Sequence, residues 1–144
     1  MGLDPARSSA ERLRITRNAA VTECVRAAAA FLHSHAEVVY FEEGRAFIAA
    51  SLNARDVMQP RESYSAERRL LAENPPDYAS MDGWLALPIR TADGTVVAAL
   101  TVSLGVATRD FASTLDGLEA LARLIESELV DEDSLPTDLS LIHI

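Results

Sequence analysis

The sequence predicts an α+β domain: an antiparallel sheet, a helix at each end of the chain, and a long covering segment between two hairpins. Three observations carry this. Asp82 to Leu104 holds two apolar runs, Trp84 to Ile89 and Val96 to Leu104, around Thr91-Ala92-Asp93-Gly94, and Asp-Gly between β-rich runs is a strong hairpin signal. Phe111 to about Val130 repeats apolar residues at helical spacing. Between about Leu52 and Met81 periodicity is lost over roughly 30 residues, long for a connection in a compact domain, and such segments are usually functional.

Taken in order, residues 1 to about 8 are a loose leader, and residues 9–130 form the domain. Ser8 or Ser9 is a candidate cap for a helix running from about Ser9 to Ser34, with Glu11 in its first turn. Leu13, Ala20, Cys24, Ala27 and Phe31 approximate one stripe, and Val21, Val25, Ala28 and Leu32 the next. Glu37 to Ser51 is the first hairpin, reversed at Gly44. Ala66 to Glu73 is a short cover helix, stopped by Asn74-Pro75-Pro76-Asp77 because proline disfavours a helical residue before it.

In the central hairpin, Leu85, Leu87 and Ile89 share one face. Pro88 donates no ladder bond and belongs at an edge, an end or a bulge. Val96, Ala98, Leu100, Val102 and Leu104 share a face of the next strand, with Val97, Ala99, Thr101 and Ser103 opposite. The last helix carries Leu115, Leu118, Ala122, Ile125 and Leu129, widened by Leu121 and Leu124, behind a cap at Asp110 or Ser113. The acidic tail 131–144 contains Pro136 and is expected to be mobile or held by a partner.

Composition limits the function. At 144 residues the chain makes one domain. No apolar run approaches a membrane span, and charges at Asp4, Arg7, Glu11 and Arg12 interrupt any signal-peptide core, so a cytoplasmic location with no membrane partner is expected. The net charge of −9 argues against direct nucleic-acid binding. All 13 basic residues are arginine, which points to the base composition of a GC-rich bacterial source. The single Cys24 makes no internal disulfide and is expected to be buried.

The order helix, hairpin, long segment, hairpin, helix resembles the GAF domain family. The residues that carry the resemblance are Trp84-Leu85-Ala86-Leu87-Pro88-Ile89, Asp93 to Val102, Phe111 and the Leu115 to Leu129 helix. It covers about residues 10 to 130. One departure is Ala98, where the family usually has glycine. The resemblance implies terminal helices packed on one sheet face and the 52–81 segment on the other, walling a pocket. It implies a sensory or regulatory domain, binding a small molecule or dimerising through its terminal helices, and fold alone does not select between these.

Candidate pocket residues are Tyr64, Tyr78 and Trp84 as walls, an arginine of the segment (Arg61, Arg68 or Arg69, with Arg68 and Arg69 favoured) as anchor of an anionic ligand, and Tyr40, Thr101 and Ser103 on the sheet. The competing reading makes the cover a solvated helix with Glu67 and Arg68 exposed and Leu70 and Leu71 inward. No catalytic, metal or cofactor set is expected: P-loop, dinucleotide, zinc and nucleophile-elbow motifs are lacking. His33 and His35 are spaced for different helix faces, and His143 falls in the tail. The Asn-Lys-Phe-Asp-Glu signature of cyclic-nucleotide GAF domains is missing, and one cysteine cannot run the relay of methionine-sulfoxide-reducing GAF enzymes. The reading is a non-enzymatic regulatory domain; its alternative is a ligand-free protein–protein interaction or dimerisation module.

Overall fold

A computed structural model describes residues 15–16, 18–104 and 111–142, with side chains through Glu128 except Ala54. Six strands form one antiparallel sheet in the order β3-β2-β1-β6-β5-β4. Their spans are β1 Ala36–Glu42, β2 Arg45–Ser51, β3 Pro60–Arg61, β4 Ala79–Met81, β5 Trp84–Arg90 and β6 Val96–Ser103. Helices α1 (Ala19–Leu32) and α3 (Phe111–Ile142) pack on one face; α2 (Ser65–Leu70) and its flanking loops lie on the other. The expected architecture is present.

The helix expected from about Ser9 to Ser34 is interrupted at Asn18, the residue before α1 starts. Asn18 Oδ1 accepts from the N–H groups of Ala20 (2.8 Å) and Val21 (3.3 Å). A short polar side chain that satisfies the first free N–H groups sets a helix start. Ile15 and Thr16 belong to a preceding helical turn, and Ser8 and Ser9 lie outside the described residues. The helix closes at Leu32: His33 turns left-handed at φ 51°, and Ser34 N–H reaches Ala29 O at 3.1 Å. This is the paired terminal bonding that satisfies the last carbonyls. The second apolar stripe is buried through Val21, Val25 and Ala28, and among the described residues of the first stripe Cys24 joins them. Phe31 is exposed, but its ring lies over Gly117 of α3, where an added Cβ would approach it to 3.3 Å.

The β1–β2 turn is Glu43-Gly44, both at positive φ (53° and 78°), the primed turn that matches strand twist. Asp82-Gly83 repeats this geometry (56° and 81°) and joins β4 to β5, a hairpin the sequence analysis did not anticipate. Bulges adjust the faces. Arg90 pairs with Val96 while Ile89 pairs with Ala98, so Val97 is the extra residue. Val97 therefore joins Ala98, Leu100 and Val102 in the helix-side core, and Val96 turns to the cover, the reverse of the strict alternation expected. Pro88 lies beyond the last β4–β5 pair, Ala79↔Ala86, as its missing N–H requires.

Helix α3 buries Leu118, Ala122 and Ile125 against the sheet and α1. Leu124, expected inside, is 56% exposed. The helix does not stop near Val130: it continues to Ile142, through a segment expected to be a mobile tail. It crosses Pro136 with one backbone donor missing. Side chains of α3 also finish the sheet edge that β4 leaves open. Arg123 Nη2 donates to Pro88 O at 2.8 Å, and Glu126 Oε2 accepts from Arg90 N at 2.7 Å. Unpaired strand edges are thereby satisfied rather than left for another chain.

Candidate functional site

The cover-side face of the sheet carries Val39, Phe41, Ile48, Ala86 and Ala99, closed by Ala66 and Leu70 of α2. Two carboxylates are buried within this layer. Glu37 of β1 is 3% exposed and Glu67 of α2 is fully buried. Such groups are tolerated only when paired and hydrogen-bonded, and Arg61 of β3 pairs both.

Arg61 grips Glu67 with two parallel bonds, Nη1 to Oε1 at 2.8 Å and Nη2 to Oε2 at 2.5 Å. Its Nε and Nη2 both reach Glu37 Oε1 at 2.8 Å, and Nη1 donates to Glu62 O at 2.9 Å. Every nitrogen of the guanidinium is thus committed to an acceptor of the protein. Glu67 is held from two further sides, by the Thr101 hydroxyl on β6 (2.6 Å) and by Tyr64 N–H (2.9 Å). Burial alone would lower the Arg61 pKa; the hydrogen bond and charge of Glu67, with Glu37, raise it instead. Arg61 is thus a fixed cation.

Aromatic rings complete the site. The Arg61 guanidinium sits 3.9 Å from the Tyr64 ring centroid, within cation–π range. Tyr64 stacks on Trp84 with centroids 4.3 Å apart and planes 17° from parallel. His35 meets Trp84 edge-on at 6.1 Å, and its Nε2 lies 3.2 Å from Glu37 Oε2. Burial, with the negative charge of Glu37 and Glu67, pushes the Tyr64 hydroxyl above its ordinary pKa against the opposing pull of Arg61.

Of the candidate residues, Tyr64, Trp84 and Thr101 come together here. Tyr40 does not: it is fully buried in the helix-side core, because Val39 and Phe41 take the cover side of β1. Arg68 is exposed and turned back on Ser63 O and Ser65 Oγ, and Arg69 is exposed on α2. Tyr78 is 38% exposed, its ring 6.0 Å from Phe111 at the start of α3. Ser103 N–H donates to His35 O at the rim of the sheet.

The competing reading of the cover put Glu67 in solvent and Leu71 inside; Glu67 is buried, whereas Leu71 is 40% exposed. Glu37 and Glu67 were not candidates, and Arg61 was one of the arginines of the covering segment considered as an anion anchor. A signal for Glu37 existed: it shares its strand face with Val39 and Phe41. Glu67 follows Tyr64 at capping-box spacing. Among the described residues no group of His, Cys, Asp or Glu is placed to hold a metal ion, and no described helix is long and apolar enough to cross a membrane.

No family model matches the sequence, and no curated protein sequence matches it. Solved structures do. The blue-light absorbing form of the PixJ GAF domain from Thermosynechococcus elongatus aligns with a TM-score of 0.61 at 13% identity, over 98% of each chain. A putative transcriptional regulator from Rhodococcus sp. RHA1 aligns at 0.63 and 15% identity, over 89% of this chain and 75% of that one. An IclR homolog from Microbacterium hydrocarbonoxydans, in complex with 4-hydroxybenzoate, aligns at 0.60 and 18% identity, over 82% and 69%. At these identities the likeness is one of fold: the chain has the GAF-like fold found in both a GAF domain and IclR-type regulators.

Proposed function

We propose that the chain is a non-enzymatic regulatory domain that binds a small molecule between the sheet and its cover and passes the event to α3. The observation that carries the reading is the buried Glu37–Arg61–Glu67 cluster with Thr101, Tyr64 and Trp84 around it. Polar groups concentrated in one part of an otherwise apolar layer are what a specific small-molecule site requires. Regulators of this fold, one of them holding 4-hydroxybenzoate, support the class.

The cover touches the sheet edge and α3 at two places. Tyr78 meets Phe111, and Arg90 ties Pro76 O (3.2 Å) to Glu126 through its side chain and its backbone N–H. A displaced cover has a mechanical route to α3 along these contacts. Exposed Phe31 and Leu124 on the terminal helices are the surface for a homodimer.

A second reading, a ligand-free dimerisation module, is favoured by the Tyr64–Trp84 stack, which fills space a ligand would need. Native mass spectrometry under mild and then denaturing conditions separates the two. A dimer releasing an extra small mass is the expected result for the sensor. A dimer with no extra mass and no thermal shift from any small molecule tested supports the module, and a monomer at tens of micromolar removes the dimer from both.

A further inference from the structure

The identity of the site's occupant is already visible in the chain. Glu67 presents two oxygens side by side, each oriented by a protein donor of its own, Tyr64 N–H on Oε1 and Thr101 Oγ1 on Oε2. Glu37 Oε1 adds a third acceptor, and the Tyr64 ring supplies a π face 3.9 Å from the guanidinium carbon. This is a socket for a flat cation with parallel N–H donors. Two carboxylates face one guanidinium, so the cluster carries a net charge of −1 before His35 is counted. An anionic ligand would meet that negative charge and an arginine already committed to Glu37, Glu67 and Glu62 O. Arg68 and Arg69, the arginines favoured to anchor an anion, lie outside this cluster.

We propose that Arg61 is an internal stand-in for the ligand, and that the Glu37–Glu67–Thr101 socket with its Tyr64–Trp84 wall takes a small, singly charged guanidinium or amidinium compound. The proposal deepens the regulatory reading above and rests on it. Arg61 is suited to leave. It ends a two-residue strand that pairs only with Ala46 and Phe47. Its side chain also lines a surface cleft of about 260 Å³ with Gly44, Glu62 and Ser63. The same cleft holds Arg45 and Arg68, whose charges disfavour polycations. When the ligand enters, Thr101 and Tyr64 N–H keep Glu67 in place, and the freed Arg61 releases the segment leading into α2.

Trp84 is the sole tryptophan, so its fluorescence reports the site directly. The test is titration of the whole chain with benzamidinium, and with neutral benzamide of nearly the same shape. Wild type is expected to respond saturably to benzamidinium alone, in the millimolar range. Arg61→Ala, freed of the internal competitor, is expected to bind about tenfold or more tightly, and adding Glu67→Gln is expected to reverse that gain. Equal responses to the two probes, no saturable response in wild type, or unchanged affinity in Arg61→Ala overturns the proposal. Should Arg61→Ala not fold, the wild-type comparison of the two probes decides alone. Benzamidinium binding in a protein whose α3 and oligomeric mass do not respond keeps the site and removes the sensory role.

Discussion

The two faces of the sheet solve the same burial problem with different chemistry. The helix side joins Val38, Leu85, Leu87, Leu100, Leu118 and Ile125 in an almost wholly apolar core. The cover side has a smaller apolar cluster and places Glu37, Glu67 and Thr101 inside it, tied to Arg61. Apolar packing is non-directional and tolerates rearrangement. A buried ionic network is directional, and it is costly once any member is missing. The helix side therefore holds the fold together, and the cover side holds one particular arrangement of a movable segment.

The largest expected effect breaks the cover side. Glu67→Ala strips the buried guanidinium of its bidentate partner, and the loss should be about 3–5 kcal/mol in denaturant unfolding. Replacing Glu37, Arg61 and Glu67 together by apolar residues of similar size should restore much of that stability. Such replacement also removes the demand for charge compensation. A triple variant as unstable as Glu67→Ala would show that the network itself, rather than charge compensation, supplies the stability. On the helix side, Leu118→Ala should cost about 2–5 kcal/mol through the cavity it leaves, with no change in Trp84 fluorescence of the folded protein. A shift of Trp84 emission there would mean that the two faces are coupled through the sheet.

Alkaline pH sharpens the comparison, because each face carries one group whose ionisation burial opposes. Burial, with Glu128 and Glu23 nearby, pushes the Cys24 thiol above its ordinary 9.0 on the helix side. Tyr64 is pushed above its ordinary 10.0 on the cover side. In both, folding favours the neutral form. The stabilisation is therefore complete below the ordinary value and is lost as pH rises through the folded-state value. The Tm should fall as pH climbs past 9, with Cys24→Ala flattening the earlier part of the decline and Tyr64→Phe the later part. A decline unchanged in both variants would place the alkaline sensitivity elsewhere.

The same division governs what the sequence discloses. The helix-side face is largely legible: period-two apolar residues in β5 and period-3.6 residues in α3 announce it, and the Val97 bulge, the inward Tyr40 and the exposed Phe31 and Leu124 depart from the pattern. The cover side is hardly legible. Arg61 meets Glu37 across 24 residues of chain, and Glu67 meets Thr101 across 34. Local pattern carries no trace of such pairing, so the general rule that glutamate faces water gives the wrong side for Glu67. Trp84 and Thr101 stood out because aromatic and hydroxyl residues on a sparse sheet face are already unusual, and Tyr64 because it is an aromatic residue in the covering segment, just before α2. Strand β4 was missed for another reason: three residues, Ala79-Ser80-Met81, are too few to show a period.

The turn that follows β4 was nonetheless written in the sequence, and it supports the smallest prediction. Asp82 and Gly83 both hold positive φ, at 56° and 81°. A Cβ at Gly83 would meet no neighbour within 4 Å, so Gly83→Ala tests backbone conformation free of steric contact. The strain should be about 1 kcal/mol, similar in size to removing the α1 cap with Asn18→Ala. The two should differ in where the loss falls. Asn18→Ala loosens α1 on the helix side and should leave the cover untouched. Gly83→Ala loosens the β4–β5 hairpin, which carries Trp84 at its first paired position, Met81↔Trp84. Hydrogen exchange of β4 and α2 amides should accelerate in Gly83→Ala and stay unchanged in Asn18→Ala. Equal acceleration in both would mean that cover and helices open as one unit, and the independence of the two faces would be lost.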